Sequence, residues 1–325
     1  MAAKKLGAEF TYDLSELAKV DPNLIHYEEA AAIATGMDEP RGIAVGVADR
    51  IFVAGDKLVR WFAPDGAAGG KFKTADEPQC LAVGQCDKGP SFVPPIYVAM
   101  KDHVEVYDNQ GNRRTAWEGA GKDALFTGIS VEDSGVTPLG MGTALASDQV
   151  FVADAGNRIV LHYEAWTGKV VCKLGEAPPG ADAGGFLIPS PYFDVAARGN
   201  WQVWVTNPGR RRVELFTHEG SLKTSWGKSS PKIEGFCGCC NPTHIALMPG
   251  DTNLVTSEKG LPRVKVYSET GELVSVVAPP AAFAAGTVGL DVAADSLGRI
   301  LVLDPIAKKV RVFVKKKTAP AEAKP

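Results

Sequence analysis

Three cysteines fall within four residues of this chain, in the run Cys-Gly-Cys-Cys at positions 237–240, and His244 follows them. Thiolates spaced this closely can chelate a soft metal ion, hold an iron–sulfur cluster or form a local disulfide. Structural zinc sites and clusters usually have wider cysteine spacings, so this run matches neither pattern well, and Cu(I) is equally admissible. A disulfide within the run, or from it to Cys80, is the structural alternative.

The composition suits a large globular fold rich in turns, with 45% hydrophobic residues among 325. The 35 basic and 38 acidic residues give a net charge of −3, which provides no attraction for nucleic acid. No apolar run is long enough to predict a membrane span. The first residues lack the apolar core of a signal peptide, which indicates a cytoplasmic protein, although Ala2-Ala3 also resembles a processed terminus.

A repeated unit of three apolar strands and a turn recurs six times, and such repeats predict a propeller with one blade per copy. We expect an all-β fold with six four-stranded blades over residues 25–314, the last blade being closed by an N-terminal strand from residues 25–34. We expect residues 1–24 to be an extension and the Lys/Pro/Ala tail at 315–325 to be disordered. The predicted inner strands are 42–45, 80–83, 143–146, 193–196, 244–247 and 289–292.

The repeat resembles the unit of the NHL-repeat family of six-bladed propellers. The runs Pro-Arg-Gly-Ile-Ala-Val at 40–45 and Asp-Ala-Gly-Asn-Arg-Ile at 154–159 match it almost letter for letter, and the resemblance extends from about Pro40 to Phe313. It implies the fold, whereas family members serve as lyases, lactonases, sensors and binding modules. Because many bacterial members are exported, the resemblance favours an exported, periplasmic chain over a cytoplasmic one.

Residues that precede the inner strands should meet at the mouth of the central channel. The repeat alignment places these positions at Gly42, Cys80, Thr143, Phe193, His244 and Gly289. Blades two and five face each other across the ring, so we expect a metal ion or an iron–sulfur cluster between them. The predicted ligands are Cys237, Cys239, Cys240, Cys80 and His244.

Other candidates are weaker. Arg210 and Arg211 lie in a turn on the same face and could bind a carboxylate or phosphate, and Met141 could offer a thioether to a soft metal. Glu258 and Lys259, in the equivalent turn of blade five, are expected to serve only the turn.

Three functions remain open. The first is a metal or cluster centre for redox chemistry, electron transfer or sensing, with a redox or protein partner at the loop-rich face. The second is a non-catalytic binding propeller with its cysteines in a disulfide. The third is a hydrolase like the lactonase and lyase relatives, for which a histidine-rich zinc site is disfavoured because only five histidines occur, while a calcium site stays open.

Overall fold

Short apolar strands alternate with tight turns along this chain, and in the computed structural model they form six four-stranded antiparallel sheets, arranged as the blades of a β-propeller. The structure describes residues 16–84, 94–132, 149–165, 167–176, 185–199, 201–250 and 252–317. Each inner strand contacts the inner strands of the two neighbouring blades, which closes the ring. No helix in these ranges is long and apolar enough to cross a membrane.

The strands follow one another from the inside of each blade outwards, except in blade six. Blade one contains β2 (Pro40–Val45), β3 (Ile51–Gly55), β4 (Leu58–Phe62) and β5 (Ala68–Lys73), and blade two contains β6 (Cys80–Val83), β7 (Ile96–Ala99), β8 (Val104–Tyr107) and β9 (Arg113–Ala116). Blade three contains β10 (Phe126–Glu132), β11 (Gln149–Asp154), β12 (Ile159–Glu164) and β13 (Lys169–Leu174), and blade four contains β14 (Val195–Arg198), β15 (Gln202–Asn207), β16 (Arg212–Phe216) and β17 (Leu222–Trp226). Blade five contains β18 (His244–Leu247), β19 (Leu254–Glu258), β20 (Arg263–Tyr267) and β21 (Leu273–Ala278), and blade six contains β22 (Asp291–Ala294), β23 (Ile300–Asp304), β24 (Lys309–Lys315) and β1 (Tyr27–Ala34).

The predicted closure of the ring is confirmed. Strand β1 pairs antiparallel with β24, from Tyr27 opposite Lys315 to Ala34 opposite Lys309, so the outermost strand of blade six comes from the other end of the chain. This pairing joins residues far apart in sequence and leaves β24 without an open edge.

The predicted inner strand of blade three is wrong. Strand β10 takes that place and pairs with β11, whereas the run at 143–146, including Thr143, lies outside the described residues. Met141, the proposed thioether ligand, also lies outside them. The correct strand carries buried Phe126 and Ile129.

The core lies between adjacent blades. Between blades two and three, for example, buried Tyr97 and Trp117 pack against Phe126 and Tyr163. Because each sheet is covered on both faces by its neighbours, middle strands such as β19 and β23 are buried along their whole length. The reactive side chains are therefore carried by strand ends and by loops.

Candidate functional site

Six equivalent positions form a ring at the start of the inner strands. Each is paired with the next-to-last or last residue of the second strand in its own blade, as Cys80 is with Ala99 and His244 with Ser257. We call these positions the channel ring. Its members are Gly42, Cys80, Gly128, Asp194, His244 and Asp291.

The ring corrects the repeat alignment in three blades, and in blade three Gly128 takes the place predicted for Thr143. Asp194 and Asp291 occupy the positions assigned to Phe193 and Gly289, so the sequence analysis missed two carboxylates in the channel. A signal was present, because both residues begin the same four-letter run, Asp-Val-Ala-Ala. Cys80 and His244 do occupy equivalent positions, as the alignment predicted.

The two carboxylates link neighbouring blades. Asp194 accepts the N–H of Val195 at 2.8 Å and that of Ile245 in blade five at 2.9 Å. Asp291 accepts the N–H groups of Val292 and of Ile43 in blade one, both at 2.8 Å. Burial raises the pKa of Asp194 well above its ordinary value, and the nearby charge of Asp291 raises it further. Desolvation in the channel raises the pKa of Asp291 to about 7.

Cys80 and His244 are both buried in the ring. Burial, followed by the charges of Asp194 and Asp291, raises the pKa of the Cys80 thiol far above its usual range, which keeps it protonated. Burial lowers the pKa of His244 to about 4, so its ring is neutral at pH 7. Ser257 donates its hydroxyl to Leu290 O at 2.6 Å, so the 3.4 Å contact between Ser257 Oγ and His244 Nδ1 is made by an Nδ1–H donor. Nε2 of His244 then carries the free lone pair.

The other three predicted cysteines lie in the long connection between β17 and β18, which we call the cysteine loop (residues 227–243). The Sγ atoms of Cys239 and Cys240 are 3.0 Å apart. Cys239 is exposed, whereas Cys240 is only 4% exposed. Cys237 is half-buried and donates its backbone N–H to Glu258 at 3.1 Å. The loop therefore offers one adjacent pair of sulfurs, which solvent reaches from the Cys239 side.

A buried charge network holds the cysteine loop against blade five. Glu258 accepts hydrogen bonds from Arg263 at 2.6 and 3.1 Å and lies 2.7 Å from the ammonium of Lys265, and all three side chains are fully buried. Lys265 also donates to the carbonyls of Ile233 and Gly235 at 2.9 and 2.8 Å. Burial lowers the pKa of Lys265 to about 8, opposed by the charge of Glu258. Glu258 thus has a larger role than the turn chemistry expected for it.

Two neighbouring turns fix the tip of the loop. Asn241 donates its side-chain amide to the carbonyls of Cys237 and Lys259 and accepts the Lys259 N–H at 2.9 Å. From blade four, Arg211 donates Nε to the carbonyl of Gly238 at 2.8 Å. Gly238 has φ +82°, a left-handed conformation that favours glycine. The predicted ligand-binding Arg211 therefore contacts the loop itself, whereas Arg210 ends the short 3-10 turn before it.

The surroundings of the sulfur pair favour a thiolate on Cys240. Burial by itself would raise the pKa of the Cys240 thiol, but hydrogen bonds from the Cys239 thiol and the Ser190 hydroxyl oppose that effect. The charges of Lys259 and Arg211 add to them, and the pKa falls below its ordinary value. The same hydrogen bond to Cys240 is the main reason why the pKa of Cys239 is raised. Cys240 is therefore the sulfur of the pair that loses its proton more easily.

Lys259 is held beside this pair by two further contacts. Its ammonium donates to Ser190 Oγ at 2.8 Å and lies 4.6 Å from the centre of the Tyr192 ring. Both partners come from the segment that leads into blade four, so the cation is fixed between two blades. Lys259 thus shares the hydroxyl that contacts Cys240.

The structure brings together only part of the predicted ligand set. Cys239 and Cys240 are in contact, whereas Cys80 lies in the channel beside Asp194 and Asp291. Across residues 16–317, leaving out the undescribed stretches, no three His, Cys, Asp or Glu side chains are grouped so as to hold a metal ion.

Comparisons with known proteins show the fold. No family model matches the chain, and no curated protein matches it. Among solved structures, it is similar to BBS1N, crystallised in complex with ARL6DN and soaked with lead, with a TM-score of 0.56 and 13% sequence identity over 92% of this chain and 99% of that one. The chain is a six-bladed β-propeller.

Proposed function

We propose that this protein is an NHL-type propeller that binds a soft metal ion through Cys239 and Cys240, and acts as a metal carrier or sensor. The observation that carries the proposal is the sulfur pair itself, with Sγ atoms 3.0 Å apart and a lowered pKa at Cys240. Thiolates are the protein ligands that soft ions prefer, and a thiol already inclined to ionise releases its proton to a metal at low cost.

Cu(I) is the ion that suits this pair best. Structural zinc and iron–sulfur clusters usually take four protein ligands, and the described residues bring two sulfurs into contact. Cu(I) is soft and accepts two thiolates as a complete ligand set; to bind it between them, the two sulfurs must move apart from their 3.0 Å contact. The proposal is therefore the two-thiolate form of the predicted metal centre, and Cys237, at the start of the same run, is the nearest further donor in sequence.

The charges near the pair support a bound monovalent ion. Two thiolates and one Cu(I) carry a net charge of −1, which a partly buried site tolerates poorly without a compensating cation. Lys259 and Arg211 both lie close enough to lower the pKa of Cys240. They would stabilise the bis-thiolate complex by the same attraction.

The test is an anaerobic titration of the reduced protein with Cu(I) against the chelator bathocuproine disulfonate. We expect one tightly held equivalent, lost in both Cys239→Ser and Cys240→Ser and kept in Cys172→Ser, a matched control in an outer strand. Retention of full affinity by both loop variants would overturn the proposal.

A dithiol–disulfide pair is the second candidate, favoured by the same contact between sulfurs. Loss of two electrons and two protons to an external disulfide would join Cys239 to Cys240, and the other disulfide would become two thiols. A thiol count on protein isolated without reductant separates the candidates, because oxidation removes two titratable thiols and abolishes Cu(I) binding until reduction. In an exported chain the oxidised form would prevail.

A protein partner for either chemistry would dock on the face that carries the cysteine loop. The propeller neighbour was crystallised with a protein partner, and a carrier must pass its ion to another protein. Pull-down with copper-loaded protein, using Cys239→Ser as the control, would identify such a partner.

A further inference from the structure

A pocket lies between blades three and four, on the face of the propeller opposite to the cysteine loop. It has a volume of about 430 Å³, within the size range of small-molecule sites. It is built from the end of β10, the start of β11, strand β13 and the turns that follow β14 and β16. Its lining includes Glu132, Gln149, Val171, Trp201, His218 and Glu219.

The floor of this pocket is a buried contact between a histidine and a carboxylate. His218 and Glu132 contact each other through Nε2 and Oε2, and their side chains are only 5% and 3% exposed. His162 fixes the position of His218, because its Nδ1 contacts the His218 carbonyl at 3.2 Å while its Nε2 contacts Gln149 at 2.6 Å. The contact between His218 and Glu132 therefore places a polar, solvent-shielded base under the pocket.

Two apolar side chains stand at the rim. Trp201 is 65% exposed and its ring lies 4.7 Å from that of His218, while Val171 is 61% exposed. Trp201 also has φ +65°, an unfavourable conformation for a bulky residue. Strain of this kind tends to occur at functional sites, and here it holds an indole over the pocket with one face in solvent.

The charge of the pocket selects its ligand. Glu132 and Glu219 both line it, and none of the described lining residues is Lys or Arg. Even with His218 protonated, Glu219 leaves a net negative charge at the rim. An indole face attracts cations, and an exposed carboxylate beside it strengthens that attraction.

We propose that this pocket binds a small organic cation, an aryl or alkyl ammonium. Its apolar part lies against Val171 and the indole of Trp201, and its ammonium group lies between the indole face and the Glu219 carboxylate. This site is separate from the cysteine loop, since the turns that form it lie at the other end of the strands.

The test uses benzyltrimethylammonium as the probe, with binding measured by calorimetry on the full chain. We expect saturable binding that weakens roughly tenfold in Trp201→Ala and severalfold in Glu219→Gln, while Trp201→Phe keeps most of the affinity. Both side chains are exposed, so these variants should fold. Leu297→Ala, which removes another exposed apolar side chain, is the matched control and should bind normally.

Three outcomes would overturn the proposal. They are an absence of saturable binding at millimolar probe, equal binding of benzyl alcohol or benzoate, and unchanged affinity in Trp201→Ala. The copper titration is independent of each of them, because Cys239→Ser and Cys240→Ser should leave benzyltrimethylammonium binding unchanged.

Discussion

The cysteine loop and the channel ring position reactive side chains by different means. The cysteine loop is not part of the repeated unit. It is held against blade five by the buried charge network of Glu258, Arg263 and Lys265. The channel ring uses the repeat itself, since each member lies at or near the start of an inner strand and is held by pairing with the second strand of its blade. A propeller can therefore vary ring chemistry by single substitutions, whereas a loop site requires its supporting residues as well.

The largest expected effect is a loss of stability when the buried charge network of blade five is changed. Glu258→Gln removes the negative charge that Arg263 and Lys265 share in a fully buried site. Leaving buried cations unpaired should destabilise the fold by about 3–5 kcal/mol and weaken Cu(I) binding, because Cys237 loses its backbone contact. Chemical denaturation measures the first effect and copper competition the second.

Glu272→Gln is the matched control for this prediction, since it removes an exposed carboxylate from the same blade. It should change stability by less than about 0.5 kcal/mol. Equal, small effects of both variants would show that the loop does not depend on the buried charges.

The channel ring should make the free energy of unfolding depend on pH, by somewhat less than the loss expected for Glu258→Gln. The folded-state pKa of Asp291 is raised to about 7, above the unfolded value, so the folded protein binds an extra proton between about pH 4 and 7. The stability from this proton is fully present at pH 4 and is lost as pH rises through 7. Asp291→Asn should remove the share of this slope that Asp291 contributes, on the order of 2–4 kcal/mol across the window, and leave the share that comes from Asp194.

Denaturation of the two proteins at several pH values provides the measurement. Asp65→Asn, in an exposed turn of blade one, should keep the wild-type slope. If Asp291→Asn reduced the slope no more than Asp65→Asn does, the pKa of Asp291 would not be raised by folding.

The channel ring leaves no room for a side chain at Gly128. A Cβ at Gly128 would lie 2.1 Å from Oδ1 of Asp194, whereas at Gly119 its nearest neighbour would be 3.5 Å away. Gly128→Ala should therefore destabilise the protein by about 1–3 kcal/mol through overpacking, and Gly119→Ala should be close to neutral. Thermal unfolding would distinguish them, and comparable melting temperatures would mean that the ring can expand.

The repeated strands could be predicted from the sequence more fully than the cysteine loop. Repeated strands predict the six blades and even the closing strand, because each copy carries the same local pattern. Alignment of the repeats failed in three copies. It placed Thr143, Phe193 and Gly289 in the ring instead of Gly128, Asp194 and Asp291. The buried charge network could not be predicted, because Glu258 contacts Cys237 only after the cysteine loop has folded against blade five.

The smallest effect should come from Lys259, whose charge lies beside the sulfur pair. Lys259→Met keeps much of the side-chain length but removes the ammonium that contacts Ser190 and Tyr192. The pKa of Cys240 should rise, and Cu(I) affinity should fall by a few fold, as expected for one partly solvated charge. Lys223→Met, in the exposed strand β17, is the control. High salt should reduce the difference between the two variants, because screening weakens the attraction that Lys259 supplies, whereas a difference unchanged by salt would mean that Lys259 acts by positioning Ser190.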